Sequence, residues 1–290
     1  MSRSNLHTSG LVSFTPASHT TESMRVALLA ALSLASTAPL SAQRGAPRGS
    51  DISTPISELH YEVTFDRAHA RSRTLLVTTQ FTVGGRDPVL LSLPAWTPGA
   101  YELSNFARSV SSFAATGDGK ELRWDKLDFD TWRVMPNGSK KVTVTFDFRA
   151  DSLDNAMSWS KDDFAFFNGT NLFLYPEGRD LTFPATVKVS TESDWNIITP
   201  MPSAGSAGAY SARNYHDLVD MPFYVGSFTA DSAQIAEHWV RLASYPASQL
   251  TGEARAKFWE QLQRMLPPMI TVFGEVPFDS YTTFVVFDES

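Results

Sequence analysis

From Ile56 onward the chain alternates between apolar and polar positions. Leu59, Tyr61, Val63 and Phe65 fall on one side of an extended segment, and His60, Glu62, Thr64 and Asp66 on the other. That two-residue period is the mark of a half-buried β-strand. It returns at 75–83 and 89–93 and is most regular at 142–149, where Val142, Val144, Phe146 and Phe148 alternate with Thr143, Thr145, Asp147 and Arg149. Apolar runs at 185–190, 223–228 and 239–244 predict further strands. Gly84-Gly85, Gly117-Asp118-Gly119, Pro136-Asn137-Gly138 and Glu177-Gly178 punctuate these runs with residues suited to tight turns. Short strands joined by such turns, with no helical period between them, predict a mainly β fold: an antiparallel β-sandwich or a saddle-like sheet.

After Pro246 the period changes. Ala254, Phe258, Leu262, Met265, Leu266, Met269, Ile270 and Phe273 recur at three- and four-residue spacing, with Thr251 as N-cap and Glu253 in the first turn. This predicts an amphipathic helix that Pro267-Pro268 kinks or splits and Gly274 ends. A new apolar strand then starts at Tyr281 and runs to Phe287, close to the last residue, Ser290. A strand of that kind needs partners on both edges and a covered face, so the C-terminus is expected to be a truncation.

The N-terminal fifty residues read differently. Residues 1–23 lack apolar periodicity and are rich in Ser and Thr, which fits disorder or a start codon set too early. Residues 24–42 carry Arg25, an apolar stretch from Val26 to Leu34 and small residues up to Ala42, the layout of a signal peptide. Export to a periplasmic or extracellular compartment is the expectation, with no stable membrane span after cleavage. Residues 43–55 form a Gly/Pro/Arg linker.

Composition narrows the function classes. Apolar residues make up 42% and aromatic ones 12% of the 290, enough for a sizeable core. A net charge of −7 without any Lys/Arg run excludes a phosphate-tracking stripe, and with it nucleic acid as a partner. The absence of cysteine excludes disulfides, a thiolate nucleophile and zinc–thiolate sites. Gly205-Ser206-Ala207-Gly208 lacks the spacing of a nucleophile elbow. His60, His69, His216 and His238 include no pair at the i, i+4 spacing that presents two imidazoles to one zinc.

Three segments remain as candidates. In Leu93–Tyr101, Pro98 and Gly99 supply the geometry of a type II turn, and Trp96 is expected to pin that turn by packing its indole against neighbouring strands, with Tyr101 beside it. Around Asn168, the residues read as an Asn-Gly hairpin turn followed by an apolar strand through Tyr175. In 215–222, His216 is a candidate site residue, and Asp217 and Asp220 read either as paired carboxylates or, more simply, as turn and joint residues beside Met221-Pro222. Asn137-Gly138-Ser139 and Asn168-Gly169-Thr170 also match the glycosylation pattern, which Asn-Gly turns explain without a glycan.

These segments, with Gly119-Lys120 through Lys126 and Thr131-Trp132-Arg133-Val134 between them, follow one another in a telling order. Trp96-x-Pro98-Gly99-x-Tyr101, then Phe167 through Tyr175, then Tyr215-His216-Asp217-Leu218-Val219-Asp220-Met221-Pro222 resemble the N-terminal domain of the glycyl aminopeptidase family, peptidase family M sixty-one. The resemblance implies a β-rich peptidase N-terminal domain over 56–230. Over 231–290 it implies the first helix and strand of a truncated α+β domain of thermolysin type. It further implies a gluzincin metallo-aminopeptidase, a hydrolase acting on peptides with a free N-terminus through a catalytic domain outside this chain. No His-Glu-x-x-His occurs here, so zinc is expected in the full-length parent, whereas this chain is expected to hold no cofactor and to be inactive alone. In related enzymes an N-domain loop holds the substrate amine, and Asn168, Asn171 and Tyr175 are the candidates for that contact. A secreted β-sandwich that binds peptides or glycans through exposed Trp96, Trp132 and Trp159 is the alternative that composition leaves open.

Overall fold

The computed structural model describes residues 52–153, 156–276, 278 and 280–287. The expected signal peptide and the first part of the linker lie outside the described residues. The described part belongs to a single compact unit.

The alternating segments form the strands predicted for them. Ile56–Phe65 pairs antiparallel with Thr74–Val83, which pairs in turn with Lys141–Arg149. These sit at the centre of a seven-stranded sheet whose order is Ala209–Ala212, Ala185–Thr191, Ile56–Phe65, Thr74–Val83, Lys141–Arg149, Val110–Gly117 and Lys120–Glu121. One pairing departs from the antiparallel expectation: Ile56–Phe65 runs parallel to Ala185–Thr191, from Leu59 opposite Ala185 to Phe65 opposite Thr191. A parallel neighbour more than a hundred residues away leaves no local turn signal to read. The inward faces are as the period dictates, with Leu59, Tyr61, Val63 and Phe65 buried beside Leu75, Val77, Val144, Phe146 and Phe148.

Two four-stranded sheets cover this core. Val89–Ser92, Thr131–Val134, Trp124–Lys126 and Tyr175–Pro176 make one of them; Phe164–Phe167, Phe223–Gly226, Asn196–Ile198 and Trp159–Lys161 make the other. At the turns, Asp118 and Gly119 have φ of 48° and 79°, and Asn137 and Gly138 have 50° and 86°. Both central residues lie in the left-handed region, as type I′ turns require.

Three short helices interrupt the β pattern: α1 Arg67–Ser72, α2 Gly169–Leu172 and α3 Tyr215–Asp220. They are too short to show a helical period, but two carry cap signals. The Asp66 carboxylate accepts from the Ala68 and His69 amides, and the Asn214 side chain accepts from the Asp217 amide. Helix α2 corrects the hairpin turn expected at Asn168-Gly169. Gly169 is needed for a different reason, because a Cβ there would sit 2.7 Å from Val219 Cα and 2.8 Å from the Leu218 carbonyl oxygen. The backbones of α2 and α3 approach too closely for any side chain between them.

Beyond residue 228 a three-stranded sheet, Thr229–Ile235, His238–Tyr245 and Ser280–Val286, carries helix α4 Gly252–Phe273. Gly274 closes α4 in the left-handed conformation with its amide donating to Ile270. Of the kink or split expected at Pro267-Pro268, the split does not occur: the helix runs unbroken through both prolines. Gln263 and Arg264, whose carbonyls lose their amide donors, are exposed, so water can take the place of the missing bonds. The boundary expected at 230/231 runs through a shared aromatic cluster. Trp159, Phe164, Ile198, Phe228 and Tyr245 are buried together with Phe284 packed against them, and the Tyr245 hydroxyl donates to Asp163 at 2.7 Å.

Candidate functional site

The three motif segments, separated in sequence by up to 125 residues, meet at one open cleft of ≈ 440 Å³. Thr97 and Pro98 come from the first segment, Phe166 and Asn168 from the second, and His216, Asp217, Val219, Asp220, Pro222 and Tyr224 from the third and the strand that follows it.

Each contribution is fixed by its own local chemistry. The Thr97–Ala100 turn is closed by the Ala100 amide donating to Thr97 at 3.1 Å, with Gly99 at φ 89°, as expected for a type II turn. The Ser104 and Asn105 amides both donate to Ala95 at 2.9 Å, which folds the rest of the loop back. The Thr97 and Thr170 hydroxyls bond at 2.7 Å and tie this loop to α2. Helix α3 is held from beneath, where Tyr215 is buried and its hydroxyl donates to the Phe173 carbonyl at 2.7 Å. Burial holds the Tyr215 hydroxyl well above its ordinary pKa, so it stays a donor. Asp217 pairs with Arg213, with Nε at 3.0 Å, while Asp220 at the end of α3 is exposed. Phe166 and Tyr224 lie opposite each other on paired strands, their rings 5.2 Å apart, and form an aromatic wall.

The candidate residues divide on inspection. Asn168 lines the cleft, and its side chain makes no cap bond to α2, so the amide is available there. Asn171 does not reach it. Its side chain is 0% exposed, accepting from Ser158 Oγ at 2.6 Å and donating to the Ala156 carbonyl at 3.0 Å. The expectation of a substrate contact at Asn171 is corrected accordingly: its amide anchors the loop, and both of its hydrogen-bonding ends are already occupied. Tyr175 lies away from the cleft, on a strand paired with Ser92, and its ring packs on Tyr215 at 5.3 Å. It supports α3 from the other side and makes no wall of the cleft.

Trp96 is the largest correction. Its indole is 45% exposed and donates to the Ala100 carbonyl within its own turn, so it is not packed among strands as expected. Tyr101 projects into solvent. Of the other tryptophans considered as exposed binding groups, Trp132 and Trp159 are buried. Phe166, Tyr224 and the Thr97–Thr170 bond belong to the cleft and went unread, because only the cross-strand register and the loop closure bring them together.

Chemically, the cleft offers two carboxylates, an amide and an imidazole against apolar walls, which suits a bound cation or ammonium group. The zinc implied by the family resemblance is not matched by these donors. His60 bonds to Thr186 on the large sheet, His69 pairs with Asp66 in α1, His216 lies at the cleft and His238 begins a strand in the last sheet. Among the described residues no three His, Cys, Asp or Glu side chains are placed to hold one ion.

Comparison with known proteins places this geometry. Residues 60–227, more than half of the chain, match the Peptidase M61 N-terminal domain. The chain belongs to that family. A solved aminopeptidase N family protein from Idiomarina loihiensis has the same fold, with a TM-score of 0.69 at 24% identity over 79% of this chain and 39% of that one. An M1 zinc metallopeptidase from Deinococcus radiodurans aligns at 17% identity and TM-score 0.41, over 80% of this chain and 57% of its own. Yeast LTA4 hydrolase aligns at 15% and 0.44, over 86% and 42%. This Peptidase M61 N-terminal domain chain thus spans between about two fifths and three fifths of the solved chains it resembles. No curated protein matches it.

Proposed function

We propose that this chain is the substrate-shaping N-terminal domain of an exported zinc metallo-aminopeptidase, and that the cleft between the Thr97–Ala100 turn, Asn168 and α3 receives the free amino end of a peptide. The observation that carries the reading is the convergence of the three family motifs on one cleft with Asp217, Asp220 and Asn168 on its walls. Carboxylate and amide oxygens are the acceptors an ammonium group needs: Asp220 is exposed at the cleft and Asn168 lines it, while one Asp217 oxygen is already taken by Arg213. The zinc and its ligands would come from sequence beyond this chain, so no bond-breaking step is assigned to residues present here.

The competing reading, a secreted module that grips ligands through exposed Trp96, Trp132 and Trp159, loses two of its three residues to the core.

The test begins with the coding sequence past Ser290, where a His-Glu-x-x-His is expected. Expressed as a whole, the longer product should hold stoichiometric zinc, start near Gln43 when exported, and hydrolyse aminoacyl anilides. Asp220→Asn and Asn168→Ala should each lower kcat/KM about tenfold, the effect of losing one charged hydrogen bond. A longer product without zinc and without hydrolysis, or cleft variants that match the unsubstituted protein, would overturn the proposal.

A further inference from the structure

The segment between Leu93 and Ser104 turns three large apolar side chains outward: Trp96 at 45%, Leu103 at 71% and Tyr101 at 103% of full exposure. Single apolar residues on a surface need no explanation, whereas several on one short loop mark a contact. This loop is held firmly in that shape. The Ala100 amide closes one turn onto Thr97, the Ser104 and Asn105 amides fold the loop back onto Ala95, and the Thr97 hydroxyl fastens it to Thr170. Such pre-organisation lowers the entropy lost when a ligand binds.

What binds is indicated by the neighbours in the same loop. Thr97 and Pro98, which lie between Trp96 and Tyr101, form a wall of the cleft that also carries Asn168, Asp217 and Asp220. Acceptors for an ammonium group in the cleft, and exposed apolar side chains on the loop that supplies part of its wall, complement two adjoining parts of one molecule. A cleft of ≈ 440 Å³ accommodates an amino-terminal residue, and leaves those that follow to meet the loop. We infer that Trp96, Tyr101 and Leu103 form an apolar rim that selects peptides with a bulky apolar side chain just behind the amino-terminal residue. The inference rests on the reading of the cleft as the seat of a peptide's amino end, and its test separates the two.

The chain is titrated by calorimetry with Ala-Phe-Ala-Ala amide, with Ala-Ala-Ala-Ala amide, and with the N-acetylated form of the first. The Phe peptide should bind about tenfold more tightly than the all-Ala peptide, as partial burial of one aromatic side chain allows. Tyr101→Ser, and separately the pair Trp96→Ser with Leu103→Ser, should bring that ratio close to one while the preference for a free over an acetylated amine persists. Asp220→Asn should do the reverse. If the paired variant fails to fold, Tyr101→Ser decides alone, because its side chain lies wholly in solvent. A ratio near one in the unsubstituted chain, a ratio the rim variants leave unchanged, or no binding of any peptide overturns the rim. Equal binding of free and acetylated peptides with the Phe preference intact supports the rim and overturns the amine reading. Rim variants that leave the ratio alone but lower the melting temperature of a longer gene product put another part of that product on the loop, and also overturn the inference.

Discussion

The sheet that begins at Ile56 and the helix α4 carry equally clear hydrophobic patterns and reach opposite ends. In the sheet, every second side chain of Lys141–Arg149 is buried, and Val63, Phe65, Leu75 and Val77 are closed off from water. In α4, apolar residues recur at helical spacing over 22 residues, yet none of them is buried, and Met265, Met269, Val272 and Phe273 are exposed. An open apolar groove of ≈ 370 Å³ runs beside Leu266, Met269, Ile270, Phe273 and Phe278. A period states which face of an element is fit for burial. Whether the face is buried depends on a partner that the period does not name.

The attachment of α4 is correspondingly polar. Arg255 donates to Leu242 and Ser244 at 2.9 and 3.0 Å and pairs with Asp231, and the Trp259 indole donates to the other Asp231 oxygen at 2.8 Å. A few charge-assisted bonds, partly open to solvent, replace the apolar burial that fixes the strands.

The sharpest way to break the contrast is to truncate one aromatic on each side of it. Trp132 is 1% exposed, stacked on Phe113 at 5.1 Å with the Lys126 ammonium 4.2 Å from its ring. Trp132→Ala should destabilise the chain by about 3–5 kcal/mol in denaturant melts, the usual range for a large aromatic removed from a core. Phe273→Ala, at an exposed ring, should stay within about 0.5 kcal/mol. Comparable losses at the two positions would mean that α4 is packed as firmly as the sheet.

A smaller effect is expected at the polar clamp. Burial of the Asp231 carboxyl acts to raise its pKa, but hydrogen bonds from Arg255 and Trp259 and the guanidinium charge outweigh it and leave the value below the ordinary one. A carboxyl whose folded pKa is lowered contributes stability above its unfolded value, and that contribution is lost as pH falls through the folded value. The clamp should therefore be intact at neutral pH and weaken below about pH 4. Asp231 is well exposed, so salt and solvent screen the pair and the effect stays local. Hydrogen exchange should show α4 amides losing protection below that pH, and in Arg255→Met at neutral pH, while the Ile56–Phe65 amides do not change. Loss of protection in both regions together would show that the helix and the sheet open as one unit.

The same contrast separates what was legible in the sequence from what was not. Alternation in 59–65, 74–83 and 141–149 is strict because one face of each strand meets the core, so those strands could be read directly, as could the tight turns at Asp118-Gly119 and Asn137-Gly138. The parallel partner of Ile56–Phe65 could not, since no turn joins it and its register is set across the whole fold. The short helices α2 and α3 sit below the length at which a period appears, and Gly169 served a close approach that a turn-forming glycine imitates in sequence. The three motif segments meet at one cleft, where Asn168 of the substrate candidates is found, together with Asp217 and Asp220, which read more simply as turn and joint residues. Asn171 was misjudged because an amide already bonded to Ser158 and Ala156 has the same letter as a free one.

Trp96 should give the smallest change in stability, and it sets the contrast between core and surface within one residue type. Trp96 and Trp132 both lie in motif segments beside apolar strands, and nothing in the sequence ranks one above the other. In the structure Trp132 is buried with its ring stacked on Phe113, whereas nearly half of the Trp96 surface meets water and its indole bonds to Ala100 within the same turn. That turn is closed independently by the Ala100 amide and tied down through Thr97 and Thr170, so its shape survives without the indole. Trp96→Ala should accordingly shift the unfolding free energy by about 0.5 kcal/mol or less, as for a surface substitution, in the same denaturant melts that resolve Trp132→Ala. A loss approaching the Trp132 value would place the Trp96 ring beneath other side chains and remove the basis for a solvent-facing rim.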